Sequence, residues 1–222
     1  MPAEARPVAS SSRYDESSLR GPYAKSSQRQ AEIIAAARIE FALKGYRKSS
    51  TRDVASRAGV SEAGLRHHFP TKTDLLEAVL YRRDADDTLE TALIHPNASG
   101  RDRLRSYLAQ VRKNERRRAD VELYAVLSAE STAADHPARP FFEERFQWVR
   151  ETLSRGFAEL AAEGGLVDGI DPAAAAREIV ALTDGLQVQW LINDDFAMSE
   201  IVESAVDRML TAPLNSPAGH AP

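Results

Sequence analysis

Cysteine is absent from this 222-residue chain, and so is any long apolar run. Without cysteine there is no disulfide, no thiolate nucleophile and no cysteine-ligated metal. No apolar stretch approaches the roughly 20 residues that a membrane-spanning helix needs, and the segment before Gln28 lacks the apolar centre of a secretory signal. These absences predict a soluble protein without membrane contact and favour a cytoplasmic location.

Motifs of the common enzyme classes are also missing. The sequence has no glycine-rich phosphate loop and no nucleophile elbow. Its five histidines are scattered, apart from the pair His67–His68. Adjacent positions on a helix point ~100° apart, and no nearby histidine or cysteine completes a metal-binding set. The sequence therefore predicts no enzyme activity, no metal site and no cofactor.

The formal net charge of −4 hides an asymmetry along the chain. Residues 1–83 hold 15 Lys and Arg against 9 Asp and Glu, a balance of +6, whereas residues 84–222 hold 14 against 24, a balance of −10. A basic N-terminal part on an acidic body indicates an anionic partner at one end of the molecule. Chance clustering of solvated charges is the alternative interpretation.

The chain is organised around the stretch Ser50–Leu76, which predicts two short helices and the start of a longer third. Gly59 ends the first helix, because glycine tolerates the left-handed conformation that a helix end often needs, and Pro70 closes the second. Each helix begins at a residue whose side chain can cap the backbone, namely Ser50, Ser61 and Thr71. Two short helices joined by a glycine-containing turn are typical of a helix-turn-helix, whose second helix reads the DNA major groove.

Apolar residues recur at helical spacing through the rest of the chain, and no strand pattern interrupts them. The predicted fold is therefore all-α, with helices over 27–45, 51–58, 62–69, 71–93, 101–117, 120–134, 140–163, 172–193 and 199–210. Residues 1–24 and 212–222 lack this periodicity and predict a disordered leader and tail. The arginines of the leader can form a basic arm on DNA phosphates, or the leader can be an idle tail.

A second basic cluster lies near the end of the predicted helix 101–117. It consists of Arg112, Lys113 and the run Arg116–Arg118. Cations at a helix C-terminus complement the helix dipole. We therefore interpret this cluster as a solvated helix end.

The segment Thr51–Leu80 resembles the N-terminal DNA-binding domain of the TetR/AcrR family of one-component regulators. The matching positions are Thr51, Val54, Ala55, Ala58, Gly59, Val60, Ser61, Leu65, His67, Phe69, Lys72 and Leu75. Residues 33–51 are similar to the first helix of the family, and ALTDGLQVQWLI is similar to a late helix in many members. The resemblance implies an N-terminal three-helix DNA-binding domain over 25–70 and a C-terminal helical ligand-binding and dimerisation domain over 71–211.

The resemblance also implies which residues face DNA. In chain order they are Thr51, Arg52, Ser61, Glu62, Ala63, Gly64, Arg66, His67, His68 and Lys72. Thr51 and Arg52 would meet phosphates, and His67 and Lys72 would hold the backbone on the other side of the groove. Val54, Leu65, Phe69 and Leu75 would build the core instead.

Four of these positions depart from the family pattern. Glu62 repels phosphate unless it accepts a hydrogen bond from a cytosine amine, and Arg66 can read guanine or hold a phosphate. Gly64 costs about 1 kcal/mol of helix propensity but lets the backbone approach the groove closely. His68 replaces a common aromatic residue. We expect the choice of operator to reside in these four residues.

Aromatic and apolar side chains of the C-terminal part can line a pocket for a planar or amphipathic ligand, although ordinary core packing explains any single one. The candidates are Tyr107, Val111, Tyr124, Leu127, Phe146 and Val149. The predicted helix 172–193 has an apolar surface wider than one core-facing stripe needs, which indicates burial by a second subunit as well. The candidate dimer residues are Ile179, Thr183, Leu186, Gln187 and Trp190.

The sequence thus predicts a ligand-responsive, DNA-binding transcriptional regulator. By the resemblance it is a repressor that binds a palindromic double-stranded DNA operator as a homodimer and is released by a small-molecule effector. An activator of the same fold is an alternative. A rival from another class is an all-helical small-molecule-binding protein or enzyme whose N-terminal unit does not bind DNA.

Overall fold

The structure, a computed structural model, describes residues 22–88 and 98–216, and for residues 22–25 and 84–88 it describes only the helical backbone. These ranges contain nine α-helices and, apart from one bridge between Leu166 and Leu210, no β-structure. The helices are α1 (Pro22–Lys48), α2 (Thr51–Arg57), α3 (Glu62–His68), α4 (Lys72–Thr88), α5 (Gly100–Asn114), α6 (Arg118–Glu130), α7 (Arg139–Ala162), α8 (Pro172–Ile192) and α9 (Met198–Asp207). The all-α prediction is confirmed for the described part of the chain.

Side-chain caps begin several helices at the residues that the sequence predicts. The Ser50 hydroxyl accepts the N–H of Asp53 at 3.1 Å at the start of α2. Thr71 and Asp74 bond each other's backbone N–H groups, at 3.1 and 2.8 Å, at the start of α4. Asp171 caps α8. Each cap pairs one of the backbone donors that the first turn of a helix leaves without a partner.

Three helix boundaries illustrate where the structure differs from the prediction. Helix α1 begins at Pro22 rather than at Ser27, because proline fits the first helical position, where no intrahelical N–H is needed. Helix α5 ends at Asn114 and α6 begins at Arg118, so the predicted end near residue 117 and the predicted start at residue 120 are both wrong. The carboxylate of Glu115 accepts the backbone N–H of Ser199 at 2.7 Å, a long-range contact that local spacing does not reveal.

The predicted disordered tail is wrong for its first residues. Leu214 is fully buried, and its N–H donates to Asp207 at 2.7 Å. The guanidinium groups of Arg101 and Arg105 each donate to the Leu214 carbonyl at 2.9 Å, which fixes residues 212–216 against α5. The predicted leader arm up to residue 21 and the predicted helix break at residues 95–97 lie outside the described residues.

Two hydrophobic clusters make up the core. One joins α5, α7, α8 and α9 in the C-terminal body and includes Val121 of α6. The other joins α1–α4 but also takes in Leu123, Tyr124 and Leu127 of α6 and Phe142 of α7. Helix α6 packs along α1, and α7 packs along α8. The N-terminal helices therefore share a core with the body, and the predicted boundary at residue 70 is not a gap in packing. None of the described helices is long and apolar enough to cross a membrane.

A buried carboxylate fastens α1 to α2. Glu40 lies in α1 with its side chain 5% exposed, and it pairs with Arg57 at 2.7 Å and with Lys44 at 2.8 Å. Lys44 also reaches Asp53 at 3.2 Å. The ammonium of Lys44, aided by the Arg57 guanidinium, outweighs burial and holds the pKa of Glu40 below its usual value of 4.5. This group therefore sets the angle at which α2 leaves α1.

We expect Glu40→Gln to lower the free energy of unfolding by about 2 kcal/mol at pH 7, because it removes the charge from two hydrogen-bonded ion pairs. The folded pKa is depressed, so this contribution is present above the unfolded pKa and disappears as pH falls through the folded pKa. Urea unfolding at pH 7 and below pH 4.5 measures both effects. Glu163→Gln, at an exposed position at the end of α7, is the matched control. An equal loss for Glu40→Gln at both pH values would contradict the role of the charge.

Candidate nucleic-acid interface and effector-binding body

Helices α2 and α3 form the predicted helix-turn-helix. Between them Gly59 has a φ of 66°, the left-handed conformation expected of a glycine turn. The Val60 N–H donates to the Ala55 carbonyl at 3.0 Å, and the Ser61 hydroxyl accepts the Gly64 N–H at 3.0 Å. Leu65 is fully buried, which anchors the inner face of α3. These contacts hold α3 at a fixed angle with its other face outward.

The outer face of α3 carries most of the residues that the sequence predicts to contact DNA. Exposed positions are Ser61, Glu62, Ala63, Arg66 and His67, with Arg52 exposed on α2. Thr51, Gly64 and His68 are half-buried at the edge of this face. We call this set the α3 face. The structure brings nine of the ten predicted positions to it, and Val54, Leu65, Phe69 and Leu75 are buried as expected.

Glu62 and Arg66 lie one helical turn apart on the α3 face, with guanidinium and carboxylate atoms 3.9 Å apart. Both side chains are largely exposed, so the pair adds little stability. The carboxylate does, however, hold the guanidinium against the helix. When Arg66 binds a base or a phosphate, its guanidinium has to separate from the Glu62 carboxylate or contact both groups at once.

His67 and His68 pack edge to face, with ring centres 5.3 Å apart. Burial lowers the pKa of His68, and the charges of His67 and Arg29 lower it further. Arg29 of α1 therefore lies close enough to influence the end of α3, a long-range position that the spacing within α3 could not indicate. The described residues contain no group of three or more His, Cys, Asp or Glu arranged to hold a metal.

The structure does not bring Lys72 to the α3 face. Its ammonium donates to the backbone carbonyl of Tyr46 and lies 4.2 Å from the centre of the Tyr46 ring. Burial lowers the pKa of Lys72, although the nearby Glu130 carboxylate opposes that shift. In this conformation Lys72 fastens the start of α4 to the end of α1 rather than reaching towards DNA.

Gly45 and Tyr46 form the joint between the N-terminal helices and the body. Gly45 interrupts α1 with φ 72° and ψ 169°, a conformation open to glycine. The Tyr46 N–H donates to the Glu130 carboxylate of α6 at 2.6 Å. A Cβ on Gly45 would lie 2.3 Å from a Glu130 oxygen, so no larger residue fits without movement. His136, buried beside Glu130 at 3.6 Å, completes the joint, and burial lowers its pKa.

The six predicted ligand residues gather in the interior of the body. Val111, Tyr124 and Leu127 are buried, and Tyr107, Phe146 and Val149 are half-buried beside them. The Tyr124 ring packs edge to face on Phe142 and Phe146, with centres 5.2 and 6.4 Å apart. Phe146 contacts both hydrophobic clusters. This interior is the part of the body where the N-terminal helices and the C-terminal helices meet.

Charged groups missed from the sequence also occupy this interior. The guanidinium of Arg83, from α4, lies 4.6 Å from the Tyr124 ring centre, and that of Arg145 lies 5.9 Å from it. Burial raises the pKa of Asp184 to about 6, while Arg145 and Arg83 act in the opposite direction. Burial also raises the pKa of Tyr107, whose hydroxyl donates to Thr183 at 2.9 Å. We give these groups and the six ligand candidates the name effector chamber, which here denotes a set of packed side chains.

The prediction that Ile179, Thr183, Leu186, Gln187 and Trp190 form a dimer face is wrong. Each is at most 7% exposed within the single chain, because α8 turns these side chains towards α5, α6 and α7. The opposite side of α8 is open instead, and there Val188 is 51% and Ile192 82% exposed. Ala181 and Gly185 precede them on the same exposed side. We call these four residues the α8 stripe.

Two family models match the chain and together cover most of both parts. Residues 33–79 match the model described as bacterial regulatory proteins, tetR family. Residues 100–211 match the model described as BetI-type transcriptional repressor, C-terminal. The first match spans the helix-turn-helix and its support, and the second spans the body.

Curated relatives from different species share one description, HTH-type transcriptional repressor KstR2. The HTH-type transcriptional repressor KstR2 of Rhodococcus jostii (strain RHA1) is 30% identical over 155 residues, which cover 64% of this chain and 68% of the relative. KstR2 of Mycolicibacterium smegmatis is 27% identical over 166 residues, covering 73% and 78%.

Solved structures share the fold. A TetR-family transcriptional regulator from Agrobacterium tumefaciens has a TM-score of 0.66 at 21% identity, covering 83% of this chain and 99% of its own. The SmeT–triclosan complex has a TM-score of 0.69 at 18% identity, covering 88% and 98%. At these identities the likeness concerns the fold alone. Together with the family models and the curated relatives, it leads to one conclusion: the chain belongs to the TetR family of bacterial transcriptional regulators.

Proposed function

We propose that this regulator is a repressor that binds a palindromic operator as a homodimer and leaves it when a small molecule enters the effector chamber. The observation that carries the proposal is the α3 face, an exposed, capped helix held outward by a buried core. The curated KstR2 relatives are repressors, which supports the same sign of regulation. Such a protein acts in the cytoplasm, where its operator is.

Some residues of the α3 face position the protein on the DNA backbone, and others contact the edges of the bases. Arg52 and Thr51 at the start of α2, together with His67 at the end of α3, supply contacts to phosphates on both sides of the groove. Ala63 and Gly64 present little side chain, so the backbone of α3 can approach the base edges closely. Arg66 is the longest side chain on this face and can donate two hydrogen bonds to guanine.

The Glu62–Arg66 pair allows the α3 face to discriminate between its operator and other DNA sequences. Against phosphate alone the carboxylate is repulsive, so the face as a whole binds any DNA less strongly than its arginines would suggest. A cytosine amine relieves that repulsion, and a neighbouring guanine takes the released guanidinium. We therefore expect an operator with a C·G pair beneath α3.

The effector chamber couples to DNA through α4. Helix α4 begins at Lys72, which rests on Tyr46 beside the helix-turn-helix, and it carries Arg83 onto Tyr124 inside the chamber. A ligand that separates Arg83 from Tyr124 displaces α4 and with it α3. In a dimer this changes the distance between two recognition helices, which have to match half-sites about 34–36 Å apart. A complex with triclosan is known for SmeT, a protein of the same fold.

Selection of bound duplexes from a random pool tests DNA binding, followed by affinity measurements at two salt concentrations. We expect a site with two-fold symmetry. Arg66→Ala should lose about tenfold in affinity, the loss expected for one bidentate base contact. If Arg66 contacts a base, Arg66→Ala relaxes the sequence preference at one position in each half-site. If Arg66 contacts a phosphate, Arg66→Ala lowers the affinity for all DNA sequences alike, and the dependence of affinity on salt concentration becomes less steep.

Arg208→Ala, at the exposed residue that follows α9, is the matched control and should bind as the wild type does. Two results would overturn the assignment of the α3 face. One is a selection that recovers no preferred sequence, and the other is an Arg66→Ala variant that binds DNA as well as the Arg208→Ala control.

The α8 stripe is the surface we assign to the dimer. It combines two strongly exposed aliphatic residues with Gly185, whose Cβ would meet nothing within 4 Å in the single chain. A glycine in mid-helix costs about 1 kcal/mol, and the packing of this chain does not require it there. Close packing of a second copy of α8 against Gly185 explains why this position has no side chain.

Ile192→Glu should convert the dimer to a monomer, because it places a charge within the apolar contact of the α8 stripe. Light scattering after size exclusion measures the mass, and the same variant should lose most of its operator affinity. Ile201→Glu places the same charge at an exposed position of α9 and is the control. A dimer of unchanged stability in Ile192→Glu would show that the interface lies elsewhere.

A further inference from the structure

Two amide side chains are buried along α5, next to the effector chamber. Gln110 is 9% and Asn114 7% exposed, and the Gln110 Nε2 donates to the Asn114 Oδ1 at 2.9 Å. Gln110 follows Tyr107 by three residues, and residues three or four apart are neighbours on a helix surface. The two amides therefore continue, along α5, the side of the chamber that Tyr107 occupies. Glutamine and asparagine are mostly exposed in proteins, so their burial here needs a reason.

The amide oxygen of Gln110 is left without a partner. This Oε1 is buried and makes no hydrogen bond in the part of the chain that the structure describes. An amide oxygen that loses water and gains no donor destabilises the folded protein. An apolar side chain of the same length at this position would avoid that cost, so packing alone does not explain Gln110.

Other buried polar atoms without a hydrogen bond in the described ranges belong to ionisable side chains, and each of these has a partner nearby. Glu40 lies 2.8 Å from Lys44, Arg103 lies 3.7 Å from Glu159, His136 lies 3.6 Å from Glu130, and Arg83 packs on the Tyr124 ring. The neutral oxygen of Gln110 has no such compensation. It is therefore the acceptor within these ranges that is best placed to bind a group from outside the chain.

The hydroxyl groups next to Gln110 can also only accept. Tyr107 donates its hydrogen to Thr183 at 2.9 Å, and Thr183 donates to the Ile179 carbonyl at 2.8 Å. Both hydroxyl hydrogens are thus used within the protein, and what the Tyr107 oxygen offers to a ligand is a lone pair. Burial and, to a smaller extent, the Asp184 carboxylate raise the pKa of Tyr107, so its proton stays in place at neutral pH. A ligand on this side of the chamber has to supply the donor.

We propose that the effector is a planar phenol whose hydroxyl group donates to the Oε1 of Gln110. The inference rests on the proposed function and adds to it the chemical class of the effector. Its ring lies beside the aromatic side chains of Tyr124, Phe142 and Phe146, which already pack edge to face and offer a planar ligand further contacts of this kind.

The charges of the chamber favour a neutral donor over a cationic one. The guanidinium groups of Arg83 and Arg145 lie 4.6 and 5.9 Å from the centre of the Tyr124 ring. An ammonium group brought beside that ring is repelled by both, and the two arginines already act on the single carboxylate of Asp184. A phenol provides a hydrogen-bond donor without a charge at pH 7.

Room for the ring comes from the edge of the chamber. Tyr107, Phe146 and Val149 are half-buried, so they reach the surface of the body and can rotate outward. The ligand then selects an arrangement in which these side chains have moved, and its hydrogen bond to Gln110 is formed in that arrangement alone.

Calorimetric titration of the DNA-free protein with 2-naphthol and with its methyl ether, 2-methoxynaphthalene, tests the proposal. The two probes share the ring and differ in the O–H donor. We expect one 2-naphthol to bind per chain, and the ether to bind about tenfold more weakly, the loss expected for one hydrogen bond to a buried acceptor. Gln110→Met keeps the length of the side chain but removes the acceptor. It should weaken the binding of 2-naphthol to the level of the ether and leave the binding of the ether unchanged.

Gln147→Met, at an exposed position of α7, is the matched control and should keep the preference of the wild type for 2-naphthol. Any of three results rules out the proposal: no saturable binding of 2-naphthol, equal affinities of the wild type for the two probes, or a Gln110→Met variant that prefers 2-naphthol as strongly as Gln147→Met does. The comparison of probes on the wild type needs no variant, so it decides the question even if Gln110→Met folds poorly. Because binding is measured without DNA, failure here leaves the proposed repressor function untouched.

Discussion

The hydrogen bond from the Tyr46 backbone to the Glu130 carboxylate is the contact on which the arrangement of this molecule depends. Helices α2 and α3 have seven residues each and cannot persist alone, so they take their position from α1. Helix α1 in turn is interrupted at Gly45, and the next N–H, that of Tyr46, is donated to a side chain of α6. The direction in which the α3 face points is therefore set by this hydrogen bond together with the core that α1 shares with α6.

Coupling between the two parts follows from this geometry and from the shared core. Tyr124 and Phe142 of the body are in the same cluster as Phe41 and Leu76 of the N-terminal helices. Because this core is closely packed, a shift of side chains in one part displaces side chains in the other. Arg83 gives α4 a polar contact inside the body. A ligand needs only to favour one arrangement of α4 over another to change DNA affinity.

Local signals in the sequence predicted much of the fold and of the α3 face. The capping and turn-forming effects of Ser50, Gly59 and Ser61 extend over no more than three residues, so such signals can be recognised from the spacing in the sequence. Contacts between distant segments could not be predicted in this way. Nothing near Lys72 indicates that it turns onto Tyr46, and the wide apolar surface of α8 did not show that Trp190 faces inward while Ile192 faces outward.

Buried polar groups were the other feature that spacing left unseen. Arg83 and Asp184 stand in helices where neighbouring apolar residues mark a core face, and their charges are accommodated only by partners on other helices. The basic run Arg116–Arg118 shows the same limitation. Arg116 and Arg118 looked like the end of one helix, whereas the structure sets them between two helices and opposite Arg38.

Amide hydrogen exchange in Glu130 variants tests the central claim most directly. Glu130→Ala removes the acceptor for the Tyr46 N–H, whereas Glu130→Gln keeps an oxygen in its place. If the body positions the recognition helix through this contact, Glu130→Ala speeds exchange at Tyr46 and throughout α2 and α3, and Glu130→Gln stays close to the wild type. Unchanged exchange in α2 and α3 of Glu130→Ala, with faster exchange confined to α6, would contradict the claim.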